Sequence, residues 1–153
     1  MKIALQLYSI KDEMEKDFMG TLEKVAKMGY QGVEFAGYGG YTAGQIRAKL
    51  DELGISAAGS HISLDALRAD AAGVADFAQE IGAYSVVCPY IQMNSKEEWT
   101  TVAKELNEYG KIMHEKGIVF GYHNHAHEFE TFDGVCALDL LFEHSDPRYV
   151  TCQ

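Results

Sequence analysis

Short apolar runs in this chain repeatedly end in polar or ionisable residues. The densest such ending is Tyr122-His123-Asn124-His125-Ala126-His127-Glu128. Imidazole is the commonest side-chain ligand for zinc, manganese or iron-type metals, and a nearby carboxylate completes a mixed nitrogen–oxygen donor set. In extended backbone His123, His125 and His127 share one face. His127 lies furthest from the apolar run and is the readiest bystander. The bland alternative is a solvated loop whose histidines do nothing. Other runs end in Gln6, Tyr8 and Ser9, in Glu34, in Ser60 and His61, and in Tyr90 and Gln92. Glu34 reads as a substrate-binding carboxylate or a general base, because charge at the buried mouth of a parallel sheet is costly unless used. A capping or salt-bridged carboxylate is its other reading, and His61 carries the same pair of readings. Tyr8 and Tyr90 are pocket walls or half-buried aromatics. His114 and His144 fall in helical patterns and read as structural. Tyr38-Gly39-Gly40-Tyr41 lacks the G-x-G-x-x-G spacing and opens no helix directly, so it carries little weight as a nucleotide site.

The elements that position these residues follow one rhythm. Four times a helical pattern ends at a glycine and an apolar run follows at once, at Gly29, Gly54, Gly82 and Gly117. Glycine fits the left-handed conformation that closes a helix, and short αβ connections are usual in α/β units. Apolar helical faces appear at Leu22, Val25 and Ala26, at Val74, Phe77, Ala78 and Ile81, and at Trp99, Val102, Ala103, Leu106, Tyr109 and Met113. Asn94 or Ser95 caps the last of these, with Glu97 and Glu98 in its first turn. Strands are expected at 3–7, 32–35, 55–58, 85–88 and 119–122. Runs apolar on both faces imply a parallel sheet covered by helices. A further helix is expected over 135–143, a turn at Asp146-Pro147, and a sixth strand from Tyr149. The expected fold is therefore α/β: a single domain over 1–153, five parallel βα units and the start of strand 6 of a (β/α)8 barrel. A whole barrel takes about 250 residues, so roughly five-eighths of one is expected here. An open five-stranded sheet of flavodoxin type is the competing topology. Either way, ligands are expected at the C-terminal ends of the strands.

Composition narrows the function. The 153 residues are 47% hydrophobic with two prolines, which marks a folded chain. A net charge of −10 makes nucleic acid a poor partner, since phosphate binding needs a basic surface. The three cysteines, Cys88, Cys136 and Cys152, form no C-x-x-C pattern, and reduced thiols point to the cytoplasm. No signal peptide or membrane-spanning run is read, so no membrane partner is expected.

The segments Ile3-Ala4-Leu5-Gln6-Leu7-Tyr8-Ser9, Gly32-Val33-Glu34, Ser60-His61, Val87-Cys88-Pro89-Tyr90 and Gly121-Tyr122-His123-Asn124-His125 resemble the xylose-isomerase-like superfamily. Within it the closest likeness is to bacterial sugar phosphate isomerase/epimerase proteins. The resemblance runs the length of the chain and implies a TIM barrel with a divalent metal (Mn, Zn, Mg or Co) at the C-terminal rim. It implies one metal ligand from the end of strand 5, at His123 or His125, and later ones from strands 6 to 8. Known ketose epimerases carry glutamate where this chain has His123. Glu34 and His61 match rim positions that contact substrate, with catalytic roles; Gln6, Tyr8, Tyr90, Asn124 and Glu128 are expected to bind it. The implied reaction is proton transfer α to a carbonyl of a sugar or sugar phosphate. With most ligands outside these residues, the isolated chain is expected to be inactive as a monomer and to self-associate through open sheet edges. A non-catalytic sugar- or partner-binding half-barrel is one alternative. An abasic-site endonuclease is another, disfavoured by the charge.

Overall fold

The computed structural model describes residues 2–153. Its sheet is built from β1 (Ala4–Gln6), β2 (Gly32–Ala36), β3 (Ser56–His61), β4 (Ser85–Cys88), β5 (Val119–Tyr122) and a two-residue strand near the end. Between β5 and that strand lie β6 (Thr131–Phe132) and β7 (Val135–Cys136), so the last is β8 (Thr151–Cys152). The main sheet has the order β1-β2-β3-β4-β5-β8 and every pair in it is parallel. Each strand lies beside its predecessor and the order never reverses. A doubly wound open sheet requires such a reversal, so the flavodoxin-type alternative falls away. This is an arc of a TIM-type barrel, as expected.

The connecting helices are α1 (Lys11–Lys16), α2 (Phe18–Lys27), α3 (Ala43–Leu53), α4 (Leu64–Ile81), α5 (Lys96–Glu115) and α6 (Ala137–Glu143). The four junction glycines have φ of 94°, 66°, 73° and 73°, the left-handed region in which a Cβ is strained. Helix α5 is capped by Ser95, whose hydroxyl accepts the Glu98 N–H, and it buries Trp99, Val102, Ala103, Leu106 and Met113. Helix α4 begins earlier than its apolar pattern indicates, at a Ser63 cap, and kinks at Asp70. The Asp70 carboxylate accepts the Gly73 N–H at 2.8 Å and so recaps the second segment. That segment lays Ala71, Ala75, Ala78 and Ile81 on the sheet. Phe77 is only half-buried and stacks on Tyr38, ring centroids 4.1 Å apart.

Four expectations are corrected. The first strand stops at Gln6, because Leu7–Ile10 turn into a 3₁₀ helix whose first free amide, on Tyr8, is accepted by the Gln6 side chain at 2.5 Å. The third strand runs on to His61. Its Ala-Gly-Ser segment lacks the β-branched residues that announce a strand, yet it pairs with β2 through a bulge at Val33/Glu34. The helix expected over 135–143 begins at Ala137, because Val135–Cys136 pairs with Thr131–Phe132 in a hairpin. Its turn is Asp133-Gly134, with φ of 51° and 79°. Asp-Gly between apolar residues is a strong hairpin signal that the helical reading passed over. The sixth strand begins at Thr151 rather than Tyr149, since Tyr149 and Val150 still donate to the Asp146 carbonyl in the turn. Among the described residues, no helix is long and apolar enough to cross a membrane.

Candidate functional site

A cavity of about 620 Å³ opens at the C-terminal ends of the strands. Its wall includes Gln6 at the end of β1 and Tyr8 after it, His61 from β3, Tyr90 after β4, and His123 and His125 after β5. Ala36 and Gly37 fill the rim after β2. Six of the nine residues expected to act on substrate or metal thus share one wall.

On the β1–β3 side the polar groups form a loose chain. The Gln6 amide Nε2 lies 3.4 Å from His61 Nδ1. His61 Nε2 lies 2.9 Å from Gln153 Oε1 and 3.4 Å from Glu34 Oε2. Both neighbours of Nε2 are acceptors and Nδ1 faces an amide donor, which assigns the ring proton to Nε2. Glu34 stands behind His61 and also accepts from the Gln153 amide at 3.0 Å. Room for Glu34 comes from Gly59: a Cβ there would meet Glu34 Oε1 at 2.9 Å and Ser85 Oγ at 2.5 Å. The β-bulge beside Glu34 re-aims this side chain, a common use of bulges near functional sites. Gln153 went unnoticed in the sequence. It continues the sixth strand, with its N–H on the Tyr122 carbonyl at 2.9 Å, so the rule that placed the other residues would have found it.

The β5 side is arranged differently from the expectation. Strand β5 stops at Tyr122, and His127–Phe129 turn into a 3₁₀ helix, so the three histidines do not alternate along extended chain. They gather all the same. Ring centroids are 5.2 Å apart for His61 and His123, 4.9 Å for His123 and His125, and 5.9 Å for His125 and His127. His123 Nδ1 is buried and, among the described residues, has no hydrogen-bond partner. A buried imidazole nitrogen without a hydrogen-bond partner suits a metal ion in the tautomer that leaves it unprotonated, so the residues present fit the expected group. His125, His127 and Glu128 also bring one ligand atom each within 4.8 Å of one another, a group that could hold a metal.

Two expected substrate ligands lie elsewhere. The Asn124 amide donates to the His125 carbonyl at 3.1 Å, and Asn124 is not part of the cavity wall. Glu128 is fully buried. It accepts from the Tyr122 hydroxyl at 2.5 Å and from the His125 N–H at 2.7 Å. Burial, and then the carboxylate, push the Tyr122 phenol well above the usual tyrosine range. His127 is not part of the cavity wall, and its Nε2 lies 2.8 Å from the Ile91 carbonyl.

Residues 22–152 match the model of a family described as xylose isomerase-like TIM barrel. The chain belongs to that family. Two solved structures of sugar phosphate isomerase/epimerases from Parabacteroides distasonis ATCC 8503 superpose with TM-scores of 0.85 and 0.86, at 23% and 24% identity. Each is matched over 99% of this chain, which spans 64% and 68% of the two relatives. A structure of the IOLI protein with a bound zinc atom superposes with a TM-score of 0.64 at 14% identity, over 80% of this chain and 51% of that one. A comparison with curated proteins finds no match. For a xylose isomerase-like barrel, the rim cavity lies at the end of the strands where such folds do their chemistry.

Proposed function

We propose that this chain supplies the metal-binding and substrate-orienting wall of a sugar or sugar phosphate isomerase or epimerase. The observation that carries the reading is the convergence of Gln6, Tyr8, His61, Tyr90, His123 and His125 on one cavity in a member of this family. His123 and His125 are the residues that would hold a divalent metal. Bound there, it would supply Lewis-acid polarisation of a ketose carbonyl and of the hydroxyl beside it. Tyr8 and Tyr90, both more than half exposed, face the ring of the sugar. Gln6 hydrogen-bonds a hydroxyl. His61 presents its ring to the cavity and relays the proton taken from the carbon next to the carbonyl, with Glu34 at 3.4 Å accepting it. Turnover belongs in this reading to a complete barrel, and metal and sugar binding to this chain. Among the described residues, strands β1 and β8 each pair with one neighbour, and their other edges are proposed to pair with a second copy.

Water-proton relaxation with Mn²⁺ tests the reading. The expected result is one bound Mn²⁺ whose relaxation enhancement changes on adding a ketose. A chain that binds no Mn²⁺, or whose enhancement ignores every ketose and ketose phosphate tried, would refute the site. Steady ketose turnover by a proven monomer would refute the division of labour.

A further inference from the structure

Strand β4 ends at Cys88 and residues 89–93 follow with no regular structure, so their backbone groups lack ladder partners. Buried backbone polar groups need partners from somewhere. Ile91, 2% exposed, finds both of its own on the neighbouring rim. Its N–H donates to the Tyr122 hydroxyl at 3.2 Å, and its carbonyl accepts from His127 Nε2 at 2.8 Å. Tyr122 and His127 then converge on one atom, Oε1 of Glu128, at 2.5 and 3.3 Å. The other oxygen takes the His125 N–H at 2.7 Å.

The chemistry of these neighbours explains why the residue is a glutamate. The Tyr122 hydroxyl and the His125 amide both donate to it. His127 Nε2 carries its proton too, because its closest partner is a carbonyl. Two donors therefore bond one fully buried side chain, one on each oxygen, while the His127 proton goes to the Ile91 carbonyl. A side chain with two acceptor oxygens satisfies both, and glutamate provides them. Burying a polar group is costly unless it is hydrogen-bonded, and here it is.

We propose that Glu128 is a positioning residue that ties the β4 and β5 rims into one rigid wall. Through Ile91 it places Tyr90, and through the His125 backbone it places the imidazoles of His123 and His125. It touches neither substrate nor metal. The inference deepens the reading of the cavity as a metal and sugar site and rests on that reading for its consequence, though not for its geometry.

The test compares Glu128→Gln, Tyr122→Phe and the double variant in the full chain, by Zn²⁺ titration calorimetry and by amide hydrogen exchange followed by NMR. Each single variant is expected to speed exchange at Ile91 and His125 while Val86 and Phe120 in the strands stay protected. Each is expected to weaken Zn²⁺ binding by roughly 10–100-fold, the usual effect of losing a partner one step removed from a ligand. The double variant should be no worse than the weaker single, because both cut the same tether. Zn²⁺ binding lost in Glu128→Gln but intact in Tyr122→Phe would make Glu128 itself a ligand and overturn the proposal. So would wild-type exchange at Ile91 and His125 in both variants. A wild-type chain that binds no Zn²⁺ would sink the metal reading, and exchange alone would then decide the tether. Should Glu128→Gln not fold, Tyr122→Phe carries the test by itself.

Discussion

The two sides of the cavity are built to different tolerances. Around β4 and β5, the buried Tyr122, Glu128 and Ile91, with the His125 N–H and the His127 ring, make contacts of 2.5 to 3.2 Å. Across β1, β2 and β3, Gln6 and Glu34 each stand 3.4 Å from His61, and the side chain of Gln153, further along the chain, bridges His61 and Glu34 at 2.9 and 3.0 Å. A metal ligand must be held in place before the ion arrives, so rigidity suits the first side. Groups that pass a proton often sit loosely in a free enzyme and tighten around substrate, so looseness suits the second. The difference also separates what stabilises the fold from what handles the ligand.

Substitutions on the two sides should therefore behave differently. Glu128→Ala leaves buried donors without an acceptor and should cost about 3–5 kcal/mol in denaturant unfolding, as broken buried charge networks do. A cost under about 1 kcal/mol would mean that the tight side is no tighter than the loose one. Gly59→Ala drives a Cβ against Glu34 and Ser85 and should cost about 1–3 kcal/mol by overpacking. It should also weaken ketose binding, since Glu34 and then His61 must move; unchanged binding would disconnect Glu34 from the cavity. Glu34→Gln should change stability by no more than about 1 kcal/mol, because its contacts reach solvent. Sugar binding should fall while Zn²⁺ affinity holds, and the reverse pattern would swap the roles of the two sides. The smallest effect concerns Cys88 on β4, whose thiol burial pushes up to about 11. At pH 8 iodoacetamide should modify exposed Cys152 first and leave Cys88 untouched until the protein unfolds. Labelling of Cys88 in the folded chain would show that the β4 side opens readily.

Periodicity and punctuation made most of the fold legible in the sequence. The helix-ending glycines, the α5 face and the order of five strands follow from rules that act over a few residues. Local preference misleads where tertiary pairing overrides it, as in β3, whose small residues form strand because β2 and β4 flank them. The β6–β7 hairpin is signalled by Asp133-Gly134, but the apolar residues beyond it suit a helix as well. At the site, strand-end placement brought Gln6, Tyr8, His61, Tyr90, His123 and His125 to one wall. Glu128 shows the limit of that rule. Its position in the chain puts it beside the histidines, but only the turn after Tyr122 decides that it points inward, where two donors meet it. The side chain that holds a rim together and the one that faces a ligand look alike in a sequence.

The most direct measurement is a crystal of the chain grown with Zn²⁺ and an anomalous difference map at the zinc edge. A single strong peak bonded to a His123 nitrogen, with His125 beside it and the Glu128 carboxylate still on Tyr122 and His125, is the predicted result. A peak bonded to Glu128 and His127 with His123 bare, or no peak in the cavity, would contradict the account.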